Sequence, residues 1–577
     1  LQAIGAVAIG ASAGQNDQKE YAVAIGYGSG VTSQAGYTVA IGQNAGATSQ
    51  EIGAVSVGPN AGYNAQKNRA VAVGDNAGYE FQAQNAVAVG NKAGRESQQE
   101  YAVAVGFESG KTSQGQNAVA IGNQAGNASQ GIYAVAVGVN AGNKTQGNYT
   151  VAIGSSAGNE AQGNHTVAIG NGTASSNQKE FGIAIGYDAG KSTQSTKAIA
   201  IGANAGLTTQ GENSVAIGFE SGKSNQKDFS VAIGPYAGYL DQARASVAVG
   251  PNAGKENQGV SAVAVGDQAA QFNQKENAVA IGVNAGNNTQ GSHTVAVGNG
   301  AGKTNQNIFG IAIGYDAGQN TQSNNAVAIG VNAGHTTQAQ YSVAIGNESG
   351  KFEQKDYSVA IGPFAGTLSQ ARASVAVGSY AGQNSQGANS VAVGDNAAQW
   401  NQKENAVAIG VNAAQYNQGE NAVAIGNGAG KTNQGTNSVA LGVASSSTGS
   451  TATALGAGTA AAHTNSTAIG YQAATTGDNT IQLGNSSLTN VNTSGAITTS
   501  NVVTAKSYYW NDISTITAGS TTTIDLSTNN LFKVNLGQSI ETLNLTNARP
   551  GTYIIEIIQG TQGNSRIVFP TTNWKWA

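Results

Sequence analysis

A strict 16-residue repeat runs through most of this 577-residue chain and constrains its fold more than any other feature. Ala-Val-Ala-Ile-Gly or a close variant recurs with its glycine at every sixteenth position from Gly10 to Gly442, without an insertion or deletion. The position eight residues after these glycines is Gln in every copy from Gln18 to Gln434. Such self-similarity is typical of solenoids, in which one unit cannot bury its own apolar face but stacked units can.

The repeated motif predicts a short strand followed by a turn. In Val-Ala-Ile-Gly, Val and Ile share one face of a strand and Ala takes the other. A helix is excluded by the regularly placed glycines and the β-branched residues. Stacked copies would align identical residues in ladders, and a Gln ladder can bond to the copies above and below. We therefore predict an all-β parallel β-solenoid (β-roll). The predicted roles are turn for Gly10, Gly26, Gly42 and Gly442, Gln ladder for Gln18, Gln34, Gln50 and Gln434, and aliphatic core for Val23, Ile25, Val39 and Ile41.

Two aliphatic side chains per coil make a thin core, which favours association with further copies of the chain. In this interpretation the alanine ladder allows close approach between chains, and the lack of insertions reflects packing on all sides. Recent duplication is the alternative. FGIAIGYDAG occurs at Phe181 and again at Phe309, eight coils later, which indicates a second-order repeat.

The repeat shortens after Gly442, where glycines at 456, 470 and 484 mark 14-residue coils with the motifs STATALG, NSTAIG and NTIQLG. These motifs resemble the head repeats of YadA-like trimeric adhesins, and the resemblance covers residues 1–484. It implies a left-handed parallel β-roll in which three chains associate side by side. We divide this region into 16-residue coils at 1–442 and 14-residue coils at 443–484.

The repeat pattern ends at residue 485. Residues 485–505 are rich in Asn, Thr and Ser and are predicted to be a neck. Residues 506–577 alternate with period two between turn residues, which predicts a small β-sandwich-like module. This segment resembles modules of bacteriophage tail fibres and other virion proteins. Five aromatics of this segment are candidates for receptor contact, with packing or a trimer seam as the alternative: Tyr508, Tyr509, Trp510, Trp574 and Trp576. A start at Leu1 inside a repeat and an end at Ala577 predict further sequence on both sides.

Composition argues against catalysis, cofactors and metals. There is no Cys, only 10% of residues are charged, and the net charge is −4, so neither a thiolate metal site nor a nucleic-acid footprint is expected. Apolar runs of about five residues are too short to span a membrane. The four histidines, His165, His293, His335 and His463, give no catalytic constellation with the scattered acids. We predict that the chain is not an enzyme.

Two surface features recur beside the Gln ladder. Adjacent opposite charges, such as Lys19 and Glu20, are expected to keep an edge solvated, with ion pairs between chains as the alternative. Aromatics before the strand, such as Tyr21 and Tyr133, are expected to cover the solenoid edge, with carbohydrate stacking as the alternative.

The leading hypothesis is a homotrimeric fibre of a bacteriophage virion, a rigid extracellular spacer and host-surface adhesin. Its partners would be other copies of itself, other virion proteins, and a host polysaccharide or protein receptor. The alternative is a cellular adhesin or extracellular filament subunit of the YadA-like kind. An ice-binding solenoid is disfavoured because the residue before each Gln varies, and a depolymerising tailspike would need acids that converge across chains.

Overall fold

A computed structural model describes residues 3–492, residue 494 and six strands between 514 and 568. The chain divides into two compact units, Leu1–Leu488 and Thr489–Ala577. Most of the predicted neck and all five C-terminal aromatics lie outside the described residues.

The first unit is built on one 31-stranded parallel sheet, which we call the VAI sheet. Its three-residue strands recur every sixteen residues from Val7–Ile9 to Val439–Leu441 and continue as Thr453–Leu455, Thr467–Ile469 and Ile481–Leu483. Each strand pairs in register with the equivalent residues of the next coil, so Val247 lies beside Val263. The shorter coils that follow Gly442 leave this register intact, with Val439 beside Thr453.

A second series of parallel strands, the Gln sheet, ends at the invariant Gln of each coil. Single parallel bridges replace strands at residues 50, 226, 322 and 338. The strands are Asn16–Gln18 and Thr32–Gln34, then Asn64–Gln66, Glu80–Gln82 and Glu96–Gln98, seven from Ser113–Gln114 to Thr209–Gln210, five from Leu240–Gln242 to Thr304–Gln306, and six from Phe352–Gln354 to Thr432–Gln434, each recurring every sixteen residues.

Left-handed backbone conformations close each coil. In the coil 247–262, positive φ angles occur at Gly250 (123°), Asn252 (54°), Gly254 (49°), Asn257 (57°) and Ser261 (55°). A Cβ atom on Gly250 would lie 2.7 Å from the carbonyl oxygen of the glycine one coil later. That atom belongs to the backbone and cannot rotate away, so both the φ angle and the stacking require glycine there.

The interior of the roll consists mainly of alanine and glutamine, with buried serine or threonine in some coils. Ala248, Ala253 and their equivalents are fully buried and form continuous clusters along the axis. Gln258 is 1% exposed and donates from Nε2 to the Val247 carbonyl oxygen of the VAI sheet at 2.8 Å. The glutamine amide thus bridges the two sheets. The space beside it is so narrow that a Cβ on Gly254 would lie 2.8 Å from the Gln258 side chain.

The prediction that Val23, Ile25, Val39 and Ile41 line the interior is wrong. The first three are partly exposed and Ile41 is 37% exposed, whereas the alanines between them are fully buried. Val and Ile do share one face, but it is the outer face. The reason is size, because the interior is only as wide as one glutamine hydrogen-bonded across it. The alanine ladder therefore lies inside the roll and is not available for contact between chains.

The second unit contains two three-stranded sheets in which every pairing is parallel. Ser514–Thr517, Leu531–Leu536 and Ile554–Gln559 form one sheet, and Thr521–Asp525, Ile540–Thr546 and Arg566–Val568 form the other. Successive strands thus alternate between the sheets. The strands agree with the predicted all-β module, and its sandwich packing stays a prediction.

Candidate functional site

The outer face of the VAI sheet carries two aliphatic rows, which are uninterrupted from Val7–Ile9 to Val439–Leu441; Thr453 and Thr467 then replace the aliphatic residue in one row. In each coil the first and third strand residues face outward, as Val279 and Ile281 do around the buried Ala280. Ile281 is 41% exposed, and its equivalents Ile233 and Ile409 are 37% and 39% exposed. Rows of this length form an apolar surface far larger than a soluble monomer usually presents, which marks an interaction surface.

The Gln ladder stiffens the coils behind these rows. Most ladder glutamines donate from Nε2 to Oε1 of the glutamine in the next coil, as Gln242 does to Gln258 at 3.1 Å. The last, Gln434, donates to Ser447 Oγ at 3.2 Å, where the 14-residue coils begin. The ladder bonds run through Gln34–Gln114, Gln162–Gln210, Gln226–Gln338 and Gln354–Gln434.

Aromatic columns lie at the position two residues before the VAI strand. In the longest column, the rings of Tyr133, Tyr149, His165 and Phe181 stack with centroids 5.1–5.3 Å apart and interplanar angles of 2–12°. All four residues have φ near +58°, an unusual conformation for bulky residues. Ring faces within the column are covered by neighbouring rings, so mainly edges remain for solvent. The column therefore favours the edge-covering interpretation over carbohydrate stacking at these rings.

Another edge of the roll carries turns in which a lysine pairs with the acidic residue three positions before it. Glu108 accepts from Lys111 Nζ at 2.9 Å and from Gln124 Nε2 at 3.1 Å. The hydrogen bond from Lys111 is the main reason that the pKa of Glu108 falls to about 2, although burial opposes the shift. In an equivalent turn, a hydrogen bond to Glu220 raises the pKa of Lys223. These pairs lie within single turns and form ion pairs without gathering a catalytic cluster.

The adjacent Lys–acid pairs noted in the sequence lie on a solvated edge. Lys19 and Glu20 are exposed, and Lys19 forms its ion pair with Asp17 at 2.6 Å. Among the described residues, no three His, Cys, Asp or Glu side chains come within reach of one metal ion. Nor does the described part of the chain contain a helix long and apolar enough to cross a bilayer.

The Gln sheet also carries an exposed aromatic pair that the 16-residue repeat does not predict. Trp400 and Tyr416 lie side by side on neighbouring strands and are each 40% exposed. The residue type at this coil position varies along the solenoid, so the 16-residue repeat gives no signal for the pair. The signal was available in the second-order repeat, because Trp400 replaces Phe272 of the otherwise identical string AAQ-NQKENAVAIG eight coils earlier.

A groove of about 760 Å³ runs beside this pair. Its lining comprises Asn401, Lys403, Glu404, Asn417, Gln418, Gly419, Glu420, Asn433, Gln434 and Thr436. Asn401 donates to Asn417 at 3.0 Å and Asn417 to Asn433 at 2.9 Å, so one wall of the groove is a ladder of exposed amides.

Comparison with protein families identifies repeats of one kind. The family described as YadA head domain repeat (2 copies) matches residues 113–141, 194–221, 434–459 and 464–487. The matches therefore include both 16-residue and 14-residue coils, and they do not include residues 506–577. A search of curated proteins found no significant match. The chain is thus a parallel β-solenoid that carries YadA head domain repeats.

Proposed function

We propose that the chain forms the rigid shaft of an extracellular homotrimeric fibre that attaches to a cell surface. The observation that carries the proposal is the aliphatic face of the VAI sheet, which a single chain leaves exposed in coil after coil. The YadA head domain repeats support a trimer, because the proteins that this repeat resembles associate as three side-by-side rolls.

The energy available from this face is large enough for a stable assembly. Full burial of an aliphatic side chain is worth about 1.5–3 kcal/mol. Ile281 is 41% exposed, so covering what remains contributes roughly 1 kcal/mol for this residue in each chain. Repetition over 31 strands gives tens of kcal/mol before the entropic cost of association, which is of order 4–15 kcal/mol.

The solenoid has the dimensions of a spacer. With ~4.8 Å between neighbouring strands, 31 strands extend roughly 145 Å along the axis. Backbone hydrogen bonds join every coil to the next, and glutamine amides add a second connection between most of the 16-residue coils. Both sets of bonds resist bending between coils.

Two settings fit such a shaft. A bacteriophage fibre is supported by the resemblance of residues 506–577 to virion modules, and its partners would be other virion proteins and a host polysaccharide or protein receptor. A cellular adhesin of the YadA-like kind is supported by the matched repeats. Immunogold labelling with antibodies to the solenoid distinguishes them, since label on phage particles supports the first and label on the producing cell surface supports the second.

The trimer is tested by light scattering with a matched pair of variants. We expect three chains per particle for the natural protein, and a lower urea midpoint of dissociation for Ile281→Asp, which places three carboxylates in the seam. Val283→Asp is the control, because Val283 is 42% exposed and the equivalent residue one coil earlier is already Asp267. A monomeric natural protein, or equal midpoints for the two variants, would contradict the proposal.

A further inference from the structure

We propose that the Gln-sheet surface around Trp400 and Tyr416, together with the adjoining groove, is a binding site for an uncharged glycan chain. The inference gives the surface attachment proposed above a ligand class, and it rests on that role. It does not depend on the trimer seam, because the seam uses the outer face of the VAI sheet.

The aromatic pair provides the apolar platform. Trp400 and Tyr416 are each 40% exposed, and among the described residues neither ring is stacked on another aromatic ring. This differs from the column at Tyr133–Phe181, where each inner ring is sandwiched between neighbours. Trp and Tyr combine a large apolar body with a polar group, a combination suited to the C–H face and hydroxyl edge of a pyranose.

Amide ladders on both sides of the platform provide the polar contacts. On one side, Gln399 donates to Gln383 and Gln415 donates to Gln399, both at 3.0 Å. On the other side is the ladder of Asn401, Asn417 and Asn433 in the groove wall. A ladder bond uses one N–H and one oxygen lone pair of each inner amide. Each inner amide therefore keeps a second N–H and a second lone pair for a ligand.

A further ladder continues this amide surface. Asn405 donates to Asn421 at 3.1 Å and Asn421 donates to Asn437 at 3.0 Å. These asparagines occupy the coil position that carries stacked rings elsewhere in the solenoid. In the coils around Trp400 and Tyr416, this position therefore holds an amide where other coils hold an aromatic ring.

The charges at the groove favour an uncharged ligand. The only charged residues that line it are Lys403, Glu404 and Glu420, so the lining has one positive and two negative side chains. Such a lining would repel polyuronates and offers no cationic cluster for sulfated or phosphorylated chains. A run of amide donors and acceptors repeated every ~4.8 Å suits a polymer of hydroxylated rings lying along the fibre axis.

Affinity electrophoresis of the full chain tests the site. The gels contain hydroxyethylcellulose, galactomannan or dextran as uncharged polymers, and polygalacturonate as the charged comparison. We expect retardation by at least one uncharged polymer and none by polygalacturonate. The double variant Trp400→Ala/Tyr416→Ala should weaken the apparent affinity about tenfold or more, as for loss of central aromatic anchors.

Phe272→Ala is the matched control, because Phe272 occupies the same place eight coils earlier but is paired with Asn288 in place of a second ring. It should leave retardation unchanged. Trp400→Phe should remove the change in tryptophan fluorescence that the polymer causes in the natural protein.

Retardation by none of the uncharged polymers, retardation only by polygalacturonate, or equal affinity of the double variant and the natural protein would overturn the site. Light scattering of the same samples distinguishes failure of the glycan site from failure of the proposed trimeric fibre. Trimers that bind no glycan contradict only the site, and monomers that still bind it contradict only the trimer.

Discussion

Replacing Gln258 with Glu should make the stability of one coil depend on pH. Gln258 Nε2 faces three oxygens, the carbonyls of Val247 (2.8 Å) and Ala262 (3.4 Å) and Oε1 of Gln274 (3.1 Å). Its own Oε1 accepts from Gln242 Nε2 at 3.1 Å. An ionised glutamate carboxylate at this position would place one oxygen against these three acceptor oxygens. Its other oxygen would keep the single hydrogen bond from Gln242 Nε2.

The size and sign of the effect follow from this geometry. When protonated, the new carboxyl has one O–H where the amide had two N–H groups, so the variant loses about 1 kcal/mol relative to the natural protein. Burial without compensating donors raises the pKa of a carboxyl by up to about 3–5 units from about 4.3. Stability is therefore retained below pH 4 and lost as pH rises toward the raised pKa, at about 1.36 kcal/mol per pH unit. Over three units the loss is about 4 kcal/mol.

Hydrogen exchange of the VAI strand Val247–Val249 measures this local loss, which is preferable to global unfolding because long repeat arrays do not unfold in two states. We expect protection in Gln258→Glu to fall about a thousandfold relative to the natural protein between pH 4 and pH 7. Gln43→Glu is the control, because Gln43 is exposed and should show no such fall. Equal protection of Gln258→Glu at both pH values would refute the amide-ladder interior.

Three other substitutions test the turns. Gly250→Ala should lower the thermal midpoint and expose neighbouring coils to protease, because the added Cβ would lie 2.7 Å from a backbone oxygen of the next coil. Gly428→Asn should be tolerated, since the nearest atom to its Cβ is 3.9 Å away and Asn occupies the equivalent left-handed position one coil earlier; equal losses would contradict this difference. Glu108→Gln should be less protected from exchange than the natural protein at pH 6, because the pKa of Glu108 is about 2 and its stabilising contribution is present above about pH 4.5. The difference should shrink as pH falls from about 4.5 toward 2, and a difference that is constant with pH would exclude this ion-paired turn as its source.

The repeat predicts the strand, the turn and the Gln ladder because each depends on residues that recur in register. Every 16-residue copy has glycine at the position of Gly250 and glutamine at the position of Gln258. Such constancy is explained when equivalent residues stack in register. The same pattern cannot say which face of the strand is inside. Period two groups Val247 with Val249 and separates them from Ala248, and hydrophobicity alone then selects the wrong face. The deciding quantity is the width of the interior, set by the 2.8 Å bond from Gln258 to the Val247 carbonyl.

Two further features depend on information outside the repeat pattern. Strand alternation in residues 506–577 predicts strands but not their partners, so the parallel pairing of Leu531–Leu536 with Ile554–Gln559 could not be foreseen. Trp400 stands in a column of varied residues, where a single aromatic has no periodic signal. Two observations distinguish it from an isolated exposed ring: it replaces Phe272 of the second-order repeat, and it pairs with Tyr416 on the neighbouring strand.

Electron cryomicroscopy of the native fibre, viewed in cross-section, tests the central claim most directly. We expect three rolls around a threefold axis, with the outer faces of the three VAI sheets turned toward one another and alanine and glutamine inside each roll. A single roll per fibre, or three rolls with Ile281 and its equivalents facing solvent, would contradict it.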